Sequence, residues 1–417
     1  MEHGQCPYRL DPTGADIWGE IAYLRTQGPA VLVDMAGGVT GWSVTRRDVV
    51  RMLAADPRVS RDPWQHWPAW AAGEISEDWA LISWIGVDHT LNAYGDKHRN
   101  VNIQTLLGPK FGRRAIEARR PHVEKLVARL LDDLAGLPSE QPVDLRKQFT
   151  TLVPAETVMD LCGVPPHLRP RARRVVHAVQ KTNPAPGEAK ENFAAMRACM
   201  ADLIAVKRAH PGDDLTTELL RFRHEGGGLP DSELISTLIL LIGAGTETVT
   251  NLLSSTVVSL LAHPDQLGLI RAGQARWRDA VDESLRMQSS FMHAPLRYAV
   301  QDIDLGDGVI IRAGDPILLC FAAAGREPAL NEDADRFDIT RGDRVHLSFG
   351  HGVHFCKGID LVHLEAEIAL PALFDRFPRL ELAVPAGELQ PIPSFIANGP
   401  AVLPVNLHGT PDRGGRR

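Results

Sequence analysis

The sequence predicts one large, mainly α-helical domain with a minor β-sheet. Apolar residues recur at helical spacing through most of residues 97–222, as in HVEKLVARLLDDLA (122–135), whose opposite face is polar. The stretch RYAVQDIDLGDGVIIRAGDPILLCF (297–321) instead has short alternating runs and turn glycines, which is typical of strands. No repeat and no linker interrupts the 417 residues, so one domain is expected, folded over about 15–408 with a polar tail at 409–417.

The segments before the helical region are predicted from their turn residues. Residues 30–45 alternate like a hairpin with a Gly-Gly turn, and RRDVVRMLA (46–54) should form a short helix. Five of the eight tryptophans follow within 21 residues, in a stretch that includes DPWQHWPAW (62–70). The prolines in that stretch argue against a long regular element.

The second half of the chain begins with the longest helix that the pattern predicts. It follows EGGGLP (225–230), which ends the preceding helix, has Asp231 or Ser232 as its candidate N-cap, and should run some thirty residues to the His263-Pro264 pair. Shorter helices are predicted at about 275–287 and 357–376, with the strands between them.

Composition and charge exclude several classes of function. The formal net charge of −7 argues against a nucleic-acid-binding protein, which would present a basic face. The N-terminus has no basic segment followed by an apolar core, and the uninterrupted apolar run 238–245 is shorter than the roughly 20 residues that span a bilayer. A cytoplasmic protein is therefore expected. The five cysteines are scattered without a CxxC pair, which predicts neither a disulfide framework nor a zinc ribbon.

The first candidate for chemistry is FGHGVHFCKG (349–358). Its glycines let the backbone approach another body closely, and Cys356 precedes a predicted helix, whose unpaired N–H groups favour a thiolate. A thiolate in such a loop suits an iron ligand. The alternatives are a buried structural cysteine and a zinc site with His351 and His354, although three ligands so close would crowd a tetrahedron and no fourth is evident.

The second candidate is GAGTETVT (243–250), at the centre of the longest helix. Each of its glycines costs the helix roughly 1 kcal/mol relative to alanine, and threonine is a poor helix former. Glu247 beside Thr248 then suggests a widened groove in which water and hydroxyl groups replace backbone hydrogen bonds. The alternative, a phosphate-binding turn after a buried strand, lacks its third glycine and its later acidic residue.

The third candidate is ESLR, in which Glu283 and Arg286 are spaced to pair on one helix face. Such a pair is most often solvated and contributes a few tenths of a kcal/mol. Nothing in the neighbouring sequence indicates another role for it.

Together and in this order, the three motifs resemble those of a cytochrome P450 of the soluble bacterial type that serves natural-product biosynthesis in actinomycetes. The pattern F-G-x-G-x-H-x-C-x-G is complete, and the resemblance extends over nearly the whole chain. It implies a helix-rich triangular prism with small β-sheets, and a heme b cofactor whose iron has an axial thiolate, Cys356. The residues that the resemblance assigns to heme binding are His98, Arg297, Phe349, Gly350, His354, Cys356 and Gly358.

The resemblance also assigns roles to the other two motifs. Glu247 and Thr248 would organise the water chain that delivers protons for oxygen activation. Glu283 and Arg286 would form a buried structural network that Arg336, in DADRFD, completes. The surface-pair interpretation of ESLR is then replaced by this one.

The chain carries no flavin or ferredoxin domain, so its electrons are expected from a ferredoxin and a ferredoxin reductase. We expect a monomer that binds a small-molecule substrate. A non-catalytic heme-binding sensor is the rival from another class, and it should lack the acid–threonine pair that is present here. A nicotinamide oxidoreductase is a weaker third hypothesis.

In this family the tryptophan-rich segment falls in a variable loop over the distal side of heme. Its tryptophans either pack that loop or line the pocket, where aromatic walls stack on flat substrates. We predict oxidation of a small aromatic natural-product intermediate, by hydroxylation or radical coupling, with a tryptophan-containing cyclodipeptide as one hypothesis. Steroid, macrolide and terpenoid hydroxylation stay open. The predicted pocket residues are Trp64, Gln65, Trp67, Trp84, Ala244, Ser289, Phe291, Met292 and Phe395.

Overall fold

Helices make up most of the protein, as predicted. The computed structural model describes residues 6–35, 37–85, 107–138, 141–178, 181–223 and 227–409. The helices of seven or more residues are α1 (Ile17–Gln27), α2 (Arg47–Ala55), α3 (Arg120–Ala135), α4 (Leu152–Leu161), α5 (Arg169–Ala178), α6 (Glu188–Ala209), α7 (Leu215–Arg221), α8 (Asp231–Ala262), α9 (Pro264–Arg271), α10 (Trp277–Gln288) and α11 (Ile359–Arg376). Shorter helical segments are Pro63–His66, Pro68–Ala71, Ile82–Ile85, Gly108–Phe111, Arg113–Glu117, Arg146–Thr150, Ala322–Arg326, Gly352–His354 and Ala386–Glu388.

Strands form small sheets beside the helices. They are β1 (Tyr8–Arg9), β2 (Val31–Asp34), β3 (Thr40–Val44), β4 (Val59–Ser60), β5 (Val143–Asp144), β6 (His293–Ala299), β7 (Ile303–Asp304), β8 (Ile310–Ile311), β9 (Pro316–Cys320), β10 (Glu381–Leu382) and β11 (Pro404–Asn406). The main sheet has the strand order β1-β2-β3-β9-β6-β4. A second sheet has the order β10-β11-β5, and β7 pairs with β8.

The predicted N-terminal hairpin is present, and the folded part begins earlier than expected. Strands β2 and β3 pair antiparallel, with Leu32 opposite Trp42. Residue 15 was the expected start of the fold, yet Tyr8 already pairs with Val33 in a parallel bridge between β1 and β2. A two-residue edge strand has no pattern from which it could be predicted, since the alternation of strands needs several residues.

Helix α8 belongs to the larger apolar core and runs through its glycine-rich centre without a break. A Cβ on Gly245 would lie 2.7 Å from Val158 Cγ2, so this glycine lets α8 and α4 pack closely. By length and composition alone, α8 could cross a membrane, contrary to the sequence-based expectation. However, 56% of its apolar window is buried inside the protein, which is typical of a core helix.

Glu283 and Arg286 form a buried ion pair on α10 rather than a surface pair. Both side chains are completely buried. Arg286 Nε and Nη2 donate to the two oxygens of Glu283 at 2.8 and 2.7 Å, the two-pronged arrangement that arginine favours with carboxylates. Arg286 Nη1 also donates to the carbonyls of Gly325 and Ala334, at 2.7 and 2.8 Å. The pair therefore connects α10 to the irregular chain that follows β9.

The side chain that completes this network is that of Arg341. The prediction that the Arg336 side chain completes it is wrong. Arg341 Nε donates to Glu283 Oε1 at 3.2 Å. The side chain of Arg336 is exposed, and this residue contributes its backbone carbonyl, which accepts from Arg286 Nη2 at 3.0 Å. The turn at this point directs the carbonyl inward and the side chain outward, which the DADRF pattern does not show.

We expect Glu283→Ala to lower the free energy of unfolding by roughly 3–5 kcal/mol, because it leaves the Arg286 guanidinium buried without its carboxylate. Urea unfolding followed by circular dichroism measures this. Glu117→Ala is the matched control, since Glu117 pairs with Arg120 at the same sequence spacing on the surface of the protein. It should leave the midpoint nearly unchanged, and equal effects of the two substitutions would contradict the structural role of Glu283.

Candidate active site

The cysteine loop, 349–358, and the middle of α8 border one cavity with two lobes. The larger lobe encloses about 1510 Å³ of empty space, partly open to solvent, and the smaller one about 1060 Å³. The residues that border both lobes are Arg61, Leu240, Ala244, Thr248, Val249, His354, Cys356 and Val362.

Glycines allow the cysteine loop to lie close to its neighbours. Gly350 and Gly352 have φ angles of +75° and +72°, a region that L side chains rarely adopt. A Cβ on Gly352 would lie 2.4 Å from the carbonyl oxygen of Ala54, so only glycine lets the loop rest on α2. The N–H of Cys356 donates to the Phe349 carbonyl at 2.9 Å and closes the loop. The sulfur is thereby held at the cavity wall.

The surroundings of Cys356 favour the thiolate less than the sequence suggested. Burial raises the pKa of the Cys356 thiol, while the Gly358 N–H hydrogen bond and the charge of Lys357 act in the opposite direction. Burial therefore outweighs the effect of the helix that follows. A cation in contact with the sulfur would reverse this balance, because a metal-coordinated thiol is deprotonated outright.

The cavity wall also carries the other groups that heme needs. Heme propionates need cationic or hydrogen-bonding donors, and Arg61, Arg297 and His354 border the larger lobe. The faces of a porphyrin need apolar neighbours, which Leu240 and Val362 provide. A zinc site has no such support, since within the described residues no three His, Cys, Asp or Glu side chains are grouped to hold a metal ion. The cavity therefore fits heme.

Glu247 is a buried carboxylate at the cavity that lies between a guanidinium and an imidazole. Its Oε2 is 3.6 Å from Arg146 Nη2, and its Oε1 is 3.6 Å from Nδ1 of His177, whose side chain is 67% exposed. Both distances exceed those of good direct hydrogen bonds, but they suit ion pairing or a bridging water. On the next residue, Thr248 Oγ1 donates to the Ala244 carbonyl at 2.6 Å. The acid and the hydroxyl thus lie side by side along the cavity, with His177 on the solvent side of the acid.

Three of the predicted pocket residues border the larger lobe: Trp84, Ala244 and Phe291. Three others, Ser289, Met292 and Phe395, are buried but do not border the described cavity. Ser289 donates to the Phe291 carbonyl at 3.0 Å, and Met292 and Phe395 pack into the apolar core beneath. The cavity is bordered instead by their neighbours Ser290, Ala294 and Ala397.

The tryptophan-rich segment contributes less to the cavity than predicted. Trp67 is 3% exposed and stacks on Trp70 and Tyr298, with ring centroids 5.9 and 5.4 Å apart. Trp64 is 45% exposed and meets Trp70 edge-on, while Gln65 donates to Asp62 on the surface. The predictions of Trp64, Gln65 and Trp67 as residues of this cavity are therefore wrong, because these side chains pack the loop.

Sequence reasoning missed two arginines and a histidine near the cavity, and one predicted residue lies outside the described part of the chain. Arg61 directly follows β4, and Arg146 and His177 come from segments far from α8 in the chain. No local pattern marks them, because only the folded chain brings them to the cavity. His98, a predicted propionate ligand, is not among the described residues.

This fold and this cysteine-bearing cavity define the class of the protein, which is that of the heme-thiolate oxidoreductases. The Cytochrome P450 family model matches residues 277–396. The chain is 44% identical to the 2-hydroxy-5-methyl-1-naphthoate 7-hydroxylase of Streptomyces carzinostaticus, over 97% of this chain and 98% of that relative. It therefore belongs to the cytochrome P450 family.

Solved structures show the same fold. CYP154A1 from Streptomyces coelicolor A3(2) has a TM-score of 0.91 and 46% identity, and the match covers 96% of this chain and 100% of that one. CYP154C4 from Streptomyces sp. ATCC 11861, solved with testosterone bound, has a TM-score of 0.91 and 36% identity, with 98% and 100% coverage. The predicted P450 fold is thus confirmed.

Family membership establishes the cofactor and the type of enzyme. The protein is a cytochrome P450 monooxygenase with heme b and an axial cysteine thiolate. Two cysteines border the described cavity, but Cys162 reaches only the smaller lobe, and burial raises the pKa of its thiol to about 12. Cys356 borders both lobes, and we propose it as the axial ligand.

We expect Cys356→Ala to abolish product formation, because no thiolate would then reach the iron. The ferrous carbon monoxide complex should lose the red-shifted Soret band of a thiolate-ligated heme. Cys162→Ala, which alters a second cysteine at the same cavity, should keep that band. A normal band in Cys356→Ala would show that another residue binds the iron.

Proposed function

We propose that this P450 hydroxylates a small, flat aromatic intermediate of natural-product biosynthesis in the larger lobe of the cavity. The observation that carries this proposal is an aromatic corner formed by Trp84 and Phe291, whose rings lie 5.5 Å apart at 57°. Ile239, Leu240 and Ala294 extend it with apolar surface. An aromatic corner with few polar groups binds flat rings by stacking and edge contacts.

The relatives support a fused-ring substrate. The 44% identical protein is a hydroxylase of a naphthoate, and the structure of CYP154C4 contains a steroid. A macrolide is a bulkier alternative, suggested by the 32% identical 6-deoxyerythronolide B hydroxylase of Saccharopolyspora erythraea. The cyclodipeptide hypothesis stays a prediction, and its support in the cavity is reduced to Trp84, since Trp64 and Trp67 pack elsewhere.

The residues of the chain supply binding and proton delivery to this reaction. When bound, heme supplies the activation of dioxygen and the transfer of one oxygen atom to the substrate. We propose that Glu247 receives protons from solvent through His177 and passes them to water held at the Thr248 hydroxyl. Arg146, buried beside Glu247, would hold this carboxylate in position. The aromatic corner would orient the substrate above the same wall.

We further propose that a ferredoxin, reduced by its own reductase, donates the electrons. Lys357 is exposed on the cysteine loop, next to the proposed iron ligand. A cation in this position suits a transient contact with a small acidic protein. A cytoplasmic monomer is proposed as well, in agreement with the burial of α8 in the core.

We expect Trp84→Ala to weaken the binding of flat aromatic ligands by about 10-fold, because it removes one side of the aromatic corner. Titration of the ferric protein, followed at the Soret band, measures the affinities for 1-naphthoate, testosterone, a tryptophan-containing cyclodipeptide and a macrolide. Trp64→Ala is the control, since this exposed indole lies away from the cavity. A high-spin shift with the macrolide alone would contradict the proposed substrate class.

We expect Glu247→Gln to lower the fraction of consumed electrons that appears in product by about 100-fold, because an amide cannot relay a proton. The ratio of product to consumed reductant measures this, with the Soret spectrum as a check on heme binding. Asp231→Asn, in the first turn of the same helix, should leave the ratio unchanged. An unchanged ratio of product to consumed reductant in Glu247→Gln would exclude Glu247 from proton delivery.

A further inference from the structure

Arg61 lies beside Arg297 at the wall of the cavity. Strand β4 pairs antiparallel with β6, with Val59 opposite Ala299 and Ser60 opposite Tyr298. Continuing this register by one residue places Arg61 opposite Arg297, so the two side chains share one face of the sheet. Both border the larger lobe of the cavity, and Arg61 also borders the smaller one.

Arg61, buried next to the positive charge of Arg297, needs an anion close to its guanidinium. Like charges directly opposite on neighbouring strands destabilise a sheet. Burial lowers the pKa of both arginines, and the charge of Arg61 lowers the pKa of Arg297 further. Arginine stays charged in proteins, so an unfavourable site is relieved by a bound anion rather than by loss of the proton.

The described residues offer Arg61 no carboxylate. Among them, no Asp or Glu forms an ion pair with Arg61, and Tyr298 is the only favourable electrostatic partner of its guanidinium. The neighbouring Asp62 is engaged elsewhere, because its two oxygens accept from the N–H and the side-chain amide of Gln65 at 3.1 and 2.8 Å. The anion must therefore come from a molecule in the cavity.

We propose that Arg61 binds a carboxylate group inside the cavity, next to Arg297. Arginine binds carboxylates through two parallel N–H···O hydrogen bonds, which few other side chains can offer. Two molecules could bring that group: heme, through a propionate, or the substrate, through a carboxylate such as that of a naphthoate. The second source rests on the proposed function, whereas the first does not.

The experiment compares Arg61→Gln with wild type as the heme-loaded protein, in two measurements. The first is the rate of heme transfer to apomyoglobin, which depends on propionate contacts. The second is the ratio of affinities for 1-naphthoate and its neutral amide, 1-naphthamide, from Soret titrations. Arg58→Gln is the control, because Arg58 lies three residues earlier and pairs with Asp56 at the surface.

The two possible sources of the carboxylate predict different results. If Arg61 binds a propionate, Arg61→Gln should lose heme about 10-fold faster or more, with an unchanged affinity ratio. If it binds the substrate, the preference for naphthoate over naphthamide should fall by about 10-fold, with heme loss unchanged. Values equal to those of Arg58→Gln in both measurements would overturn the proposal.

Two further experimental outcomes also have a defined interpretation. If wild type binds neither probe, the proposed aromatic substrate is wrong, and the rate of heme transfer alone decides the role of Arg61. If Arg61→Gln does not accumulate with heme, Arg61→Lys replaces it, since lysine keeps the charge but loses the two-pronged geometry. Arg61→Lys should then move the same measurement in the same direction by a smaller factor, and wild-type values in both would overturn the proposal.

Discussion

The buried ion pair of Glu283 and Arg286 is the interaction on which the position of the cysteine loop depends. Burying two charges costs several kcal/mol each unless hydrogen bonds satisfy them fully. Here backbone groups do so, namely the carbonyls of residues 325, 334 and 336 and the N–H of Asp338. The pair therefore fixes a long segment with little regular secondary structure. Just before the cysteine loop, Ser348 Oγ donates to the carbonyl of residue 285 at 2.6 Å, so α10 also holds the loop directly.

Positively and negatively charged side chains lie at different sides of the cavity. The two arginines that end the β4–β6 pairing present cations at one side of the cavity, whereas α8 presents Glu247 at another. We propose a distinct use for each charge, since cations can hold carboxylates and a buried acid connected to solvent can relay protons. The chemistry of the site thus depends on which element reaches which wall.

The concentration of tryptophans has a structural explanation for most of its members. Trp67 stacks on Tyr298, at 5.4 Å and 23°, and Tyr298 is the neighbour of Arg297 on β6. The indoles therefore fill the space behind the strand that carries this cavity arginine, in a loop with only short helical turns. Trp84 alone among the predicted tryptophans turns toward the cavity, where it meets Phe291.

The sequence alone determined the helical class, the approximate bounds of the N-terminal hairpin and of several helices, and, through the resemblance of three motifs, the P450 family and its heme cofactor. Each of these depends on spacing within one short segment, which periodicity and motifs record. Only the tertiary structure decided the long-range partners. It placed Arg341 rather than Arg336 on the buried carboxylate, brought Trp84 rather than Trp67 to the cavity, and set Arg61 beside its neighbouring strand. The direction of such side chains is set by packing between segments distant in the chain, and no local pattern encodes it.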